Sequence, residues 1–221
     1  MRKIETNTLK PTTSFEYNEK TYLLLDSDTE TTLDGLESDL LKFMSENDGK
    51  EKTELEKDGL YKNAQVIYKN FFETLKGVKY NFYLNKEQHN YITDLVVNKL
   101  EYDVNTVFFA IELKNLFDEL KNSKYENNKD LVCHKVNATE ITYIYHLISK
   151  HTVKGLSKQS FLFAEILMKI GEISKIFNYY ETASKNLSGD IQDWVTCFEE
   201  GVTREVRNTG ETVDAQVLPN D

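Results

Sequence analysis

SKQSFLFAEILMKIGEISKIFNYYETASK, residues 157–185, decides the fold class. Phe161, Ala164, Leu167, Ile170, Ile173, Phe177 and Tyr180 recur at steps of three and four, the period that gathers side chains on one face of an α-helix. Ser157 stands where an N-cap hydroxyl belongs, and no proline interrupts the run. The stretch is expected to be the longest helix of the chain, with those seven residues facing inward. Ser188 is read as the cap of a separate, short last helix that ends near Glu199.

The same reading extends toward the N-terminus. Asn137 with Glu140 and Asn85 with Gln88 have capping-box spacing, as does Asp34 with Glu37, so each is expected to open a helix. A long helix over roughly 52–76 carries Leu60, Ala64, Ile67, Phe71 and Leu75, with Gly77 at its C-terminal end. Val107 to about Lys121 opens with an almost wholly apolar stretch and is expected to be the central helix. Phe71, Phe108, Ile111, Ile144, Leu167, Ile170 and Phe177 are the expected core. Asp26–Thr32 and Asn122–Lys135 read as polar loops, and Val78–Leu84 as aromatic and ambiguous. Around Asn18-Glu19, aromatic and polar residues alternate from Ser14 to Leu25, the pattern of a β-hairpin. The fold class is mainly α: six or seven helices, a small N-terminal hairpin and an extended C-terminal tail. The expected divisions are an arm and hairpin over 1–33, a helical body over 34–200 and a tail over 201–221.

Nine glycines and two prolines in 221 residues are too few for a sandwich or barrel rich in turns. The net charge of −10 is unevenly spread. Residues 26–59 hold twelve acids and four bases, residues 199–221 six acids and two bases, and residues 60–198 come to +1. No basic stripe is visible, so sequence-specific binding of nucleic acid is not expected. Cys133 and Cys197 lie far apart with no CxxC spacing, which argues against a disulfide framework and a zinc site. No apolar run approaches a membrane span and no signal-peptide pattern opens the chain. A reducing cytoplasm, or a particle assembled there, is the expected setting.

Chemical signatures are sparse. His146 and His151 are five apart, about 140° around a helix, and so do not share a face. Cys133-His134 reads as an inert pair in a loop. Phosphate-loop, dinucleotide and nucleophile-elbow glycine patterns are missing. Asp190, Asp193, Glu199 and Glu200 read as a solvated face, and Tyr80, Phe82 and Tyr83 as packing residues. No catalytic residue, cofactor or metal is expected. Trp194, the only tryptophan, either packs the last helix or anchors an interface. Tyr17 and Tyr22 in the hairpin are further candidates for partner contact. So are tail residues Val202, Val206, Val213 and Val217, which alternate loosely with polar ones as an added strand would.

The segment from Phe15 through Asn18, Lys20 and Tyr22 to Leu24 resembles the opening hairpin of small tailed-bacteriophage proteins, among them tail-assembly chaperones and virion components. Glu19 stands where those have Gly. The Lys-, Asn- and Tyr-rich composition is similar to that of phages infecting AT-rich bacteria. The resemblance implies a structural or assembly protein of a phage-like virion that contacts other protein subunits in a homo- or hetero-oligomer, with no membrane partner. The alternative is an acidic inhibitor whose 26–59 carboxylates mimic nucleic acid toward a basic protein.

Overall fold

The computed structural model describes residues 9–48, 52–99, 107–118, 131–149, 155 and 157–200. Its elements, in order, are β1 (Ser14–Tyr17), β2 (Lys20–Leu23), α1 (Ser27–Glu46), α2 (Glu54–Gly77), β3 (Tyr80–Leu84), α3 (Lys86–Asp94), a π-helical stretch (Leu95–Lys99), α4 (Val107–Asp118), β4 (Val132–Val136), α5 (Ala138–Ser149) and α6 (Lys158–Glu200). More than half of all 221 residues lie in these helices, so the chain is mainly α with a small N-terminal hairpin. It divides into two compact units, each drawn from two stretches of sequence. One takes Met1–Ser27 with Val78–Tyr179, the other Asp28–Gly77 with Tyr180–Asp221. The boundary expected at 33/34 falls inside α1.

The first unit mixes strands and helices. In the hairpin, Ser14 pairs with Leu23 and Tyr17 with Lys20. Asn18 (φ 49°) and Glu19 (φ 61°) are both left-handed, the turn whose twist suits two right-twisted strands. Leu24 and Leu25 leave β2 buried. Asn81 fastens that exit to β3: its backbone N–H donates to Leu24 O (2.8 Å) and its side-chain amide to Leu23 O (2.6 Å).

Strands β3 and β4 pair antiparallel, with Tyr80 opposite Val136, Phe82 opposite His134 and Leu84 opposite Val132. These six are buried and form the inner face; Tyr83, Cys133 and Lys135 alternate to the other face. The ambiguous segment is thus a strand, and the end of the expected 122–135 loop is its partner. Strand was expected mostly in the hairpin and the tail. The second sheet overturns that, because its pairing joins residues about fifty apart that no local pattern links.

Two expected capping boxes are present. Gln88 N–H donates to Asn85 Oδ1 (2.8 Å) and Asn85 N–H to Gln88 Oε1 (3.1 Å). Glu140 N–H donates to Asn137 Oδ1 (2.8 Å) and Asn137 N–H to Glu140 Oε2 (2.6 Å). Ser157 accepts from Ser160 N–H (3.3 Å) at the start of α6.

Among the described residues the regular structure of the second unit is all helical. Leu33, Leu40, Leu41 and Met44 of α1, Ala64 and Phe71 of α2, and Tyr180, Leu187, Ile191 and Trp194 of α6 make its core. Tyr180 donates to Asp34 Oδ1 (3.0 Å), and Phe43 meets Trp194 edge-on at 5.9 Å. Asp34 is therefore an interior residue of α1, not its cap. The helix begins at Ser27, with Asp28 and Glu30 in the first turn where acids complement the helix dipole. The box that opens α2 is Thr53 with Glu56: Thr53 N–H donates to Glu56 Oε2 (2.8 Å), and Glu56 N–H to Thr53 Oγ1 (3.3 Å).

α6 runs unbroken for 43 residues, so Ser188 lies within it and no separate last helix exists. Its buried row is Ile166, Ile170, Ile173, Ile176, Tyr180, Ala183, Leu187, Ile191 and Trp194, in steps of three and four. Phe161 and Ala164, expected inward, are exposed, and Leu167 and Phe177 are half-buried. Residues 161–170 hold apolar side chains all round the helix, so periodicity alone does not choose between faces.

Candidate functional site

Three features of the first unit concentrate its unusual chemistry. The first is a half-exposed aromatic patch at the hairpin. Phe15 stacks on Tyr22 at 5.4 Å, and Tyr17 meets Tyr22 edge-on at 6.2 Å. Tyr83 reaches from β3 to meet Tyr22 at 5.1 Å and Phe15 at 5.8 Å. Phe15, Tyr17 and Tyr22 share one side of the short hairpin through direct and diagonal cross-strand pairing. Burial pushes the Tyr83 hydroxyl up to about 12, helped by the Cys133 thiol paired opposite it. Cys133 donates weakly to Asn81 Oδ1 at 3.5 Å.

Beside this patch a polar network ties three elements together. Lys169 Nζ donates to Tyr83 O (2.8 Å) and to Gln88 Oε1 (2.9 Å), while Gln88 Nε2 donates to Glu165 Oε2 (2.7 Å). Gln88, already half of a capping box, thus also joins α3 to α6. Burial lowers the Lys169 ammonium to about 8, against the opposing pull of the Glu165 carboxylate.

The second feature is interior. His89 of α3 and His134 of β4 are buried and stacked, with ring centroids 5.3 Å apart and planes at 11°. Phe117 of α4 meets both edge-on, at 5.9 and 5.2 Å. His89 Nε2 lies 3.1 Å from Phe117 O; a carbonyl only accepts, so this nitrogen carries the proton. Parallel ring planes do not aim two nitrogen lone pairs at one ion, so the arrangement serves packing rather than chelation. Among the described residues no group of three His, Cys, Asp or Glu side chains is placed to hold a metal. Two hydroxyls share this unit's interior without a hydrogen-bond partner among the described residues, Tyr80 Oη and Thr93 Oγ1. Each such group destabilises by about 1–3 kcal/mol. Burial raises the Tyr80 hydroxyl well above its usual range.

The third feature is apolar surface. On α4, Phe108 (67% exposed) and Ile111 (50%) lie one turn apart on the same face. On α6, Phe161 (61%) and Met168 (71%) flank exposed Ala164. Phe108 and Ile111 were expected in the core, and the almost wholly apolar start of α4 was expected to be central. The structure corrects both: α4 turns Ala110, Leu113 and Phe117 inward and leaves the opposite face open.

Other residues singled out from the sequence are dispersed. Tyr17 and Tyr22 meet in the hairpin patch. Trp194 is buried against Phe43, which is its packing role, and offers no surface for an interface anchor. Val202, Val206, Val213 and Val217 lie outside the described residues, as does His151. His146 is exposed on α5. Asp190 is buried, not solvated as expected, while Asp193 is exposed. His134, read as part of a loop, is a buried strand residue. The histidine stack carried no sequence signal, since His89 and His134 are 45 residues apart and sit on different elements. No helix among the described residues is long and apolar enough to cross a membrane. Comparison with known proteins returns no matching family model, no matching curated protein and no matching solved structure.

Proposed function

We propose that this chain is a structural or assembly protein of a phage-like particle, acting through contacts with other protein subunits. The observation that carries the reading is the apolar surface of the first unit. Single exposed apolar residues are ordinary, but here they fall in register on one face of α4 and again on one face of α6. Faces of this kind gain free energy when a second protein covers them. The aromatic hairpin adds a half-exposed patch of the kind rich in interface residues. The particle assignment comes from the resemblance of that hairpin to those of tailed-phage proteins.

The mass of the full chain in solution tests this, by light scattering over a range of concentrations. A ring or higher oligomer is the expected result. One observation favours the alternative of an acidic mimic: α1 alone carries six acids and one base. A monomer whose mass shifts only on adding a basic DNA-binding protein would replace the first reading with the second.

A further inference from the structure

We propose that the surface stripe on the first half of α6, exposed at Phe161, Ala164 and Met168 and half-buried at Gly171, pairs antiparallel with the same stripe of a second copy of this chain. This deepens the assembly reading and depends on it. The four positions step by three, four and three, so they lie in one row along the helix. They alternate large, small, large, small. Reversing one copy against the other sets Phe161 opposite Gly171 of the partner subunit and Ala164 opposite Met168 of the partner subunit. One two-fold axis satisfies all four contacts, as a self-complementary interface requires. Each large side chain meets a small one, which lets two helices approach closely.

Charge agrees with this register. Lys158 and Glu172 are two heptads apart and flank the stripe on one side, and the same reversal brings Lys158 near Glu172 of the partner subunit. Among the described residues they make surface pairs, Lys158 with Glu87 (2.7 Å) and Glu172 with Lys175 (2.7 Å), which are easily exchanged. Glu165, close to the axis, is held by Gln88 and lies beside the Lys169 charge, which tempers repulsion between the two copies. Gly171 weakens a helix interior, and a Cβ there would meet nothing within 4 Å, so its own chain does not require the glycine. Open space surrounds other helical glycines too; Gly171, itself half-buried, differs in ending an uncharged stripe whose other members are exposed. A foreign partner would need none of this symmetry, which is why a second copy is the occupant the pattern favours.

The test compares the full wild-type chain with Met168→Glu, Gly171→Glu and, as a control on the other unit's surface, Leu55→Glu. Association is measured by sedimentation equilibrium, with circular dichroism confirming the fold. Gly171→Glu replaces a weak helix former with a good one in open space, so folding is preserved. Both α6 variants are expected to weaken self-association at least about tenfold, the control less than about twofold. The charge reversal Lys158→Glu with Glu172→Lys is expected to associate better than either single change. An oligomer unaffected by the α6 variants overturns the pairing and leaves the assembly reading standing, with its interface elsewhere. A wild-type chain that stays monomeric at every concentration overturns both.

Discussion

The helical unit, Asp28–Gly77 with Tyr180–Asp221, holds 21 acidic and 10 basic residues, a net of −11, whereas the mixed unit holds 16 and 17, a net of +1. Apolar exposure divides the opposite way. Among the described residues the helical unit leaves three large apolar side chains at its surface (Leu55, Val66 and Phe72), and the mixed unit leaves eight. A strongly charged surface keeps proteins apart in solution, while a neutral surface with apolar faces favours association. The interior follows a similar division. The helical core is closed by a Tyr–Asp hydrogen bond and a Phe–Trp contact, while the mixed core contains stacked histidines and two hydroxyls without partners among the described residues. Both interiors hold buried polar side chains, Ser184 and Asp190 in the helical unit and, in larger number, Asn81, Gln88, His89, Thr93 and His134 in the mixed one.

Core truncations are the strongest way to break this contrast. Trp194→Ala should remove about 3–5 kcal/mol of unfolding free energy, because a fully buried aromatic leaves a large cavity. Chemical denaturation followed by circular dichroism measures it, and a loss under about 1 kcal/mol would mean the helical core is not closed there. Ile170→Ala, in the mixed unit, should remove about 2–5 kcal/mol. A loss below about half a kcal/mol would place the buried face of α6 elsewhere.

The pH dependence of stability sharpens the comparison, since Lys169 belongs to the mixed unit. Its folded pKa, about 8, lies below the ordinary 10.5. Between those values the unfolded chain holds a proton that the folded chain has released, so stability rises as pH increases through this window. Below pH 8 the ammonium is charged in both states and the penalty is fully present. The gain is at most about 3 kcal/mol. It should vanish in Lys169→Met when unfolding free energies at pH 7.5 and pH 9.5 are compared. Tyr83, raised to about 12, reverses the slope only above pH 10.

Glu19→Gly should stabilise the chain by about 1 kcal/mol, because a left-handed conformation strains any residue with a Cβ. A higher melting temperature is the expected readout; a lower one would show that the Glu19 side chain contributes more than its backbone loses. Phe108→Ala should change monomer stability by less than about 0.5 kcal/mol. A larger loss, independent of protein concentration, would return Phe108 to the core and remove one of the exposed faces on which the comparison depends.

What could be read from the sequence follows the range of each interaction. The Asn85–Gln88 and Asn137–Glu140 boxes and the hairpin turn are built within four residues, and all three stand where the sequence places them. Asp34–Glu37 has the same spacing but lies inside α1, because the apolar row containing Leu33, Leu40 and Met44 begins upstream of it. Ser188 has the composition of a cap, yet Leu187 and Ile191 continue the buried row on either side and carry the helix through. The β3–β4 pair, the histidine stack and the Gln88–Lys169–Glu165 network join residues tens of positions apart, beyond the reach of periodicity. Of the candidate contact residues, Tyr17 and Tyr22 were found from alternation alone. The exposed stripe of α6 was hidden by the apolar residues around it.

The interleaving of the two units has a consequence for synthesis. The hairpin is made before β3, but the strand pair to which Asn81 fastens it is complete only when Val136 has been made. At translation speeds of about 5–20 residues per second, that leaves Leu24 and Leu25 without their final packing for several seconds or more. α1 and α2 wait longer, because their third helix is the end of α6. Any contiguous fragment that spans one unit also carries part of the other. The nascent chain must therefore hold both halves-in-waiting until one late helix, read from Lys158 to Glu200, completes first the mixed unit and then the helical one.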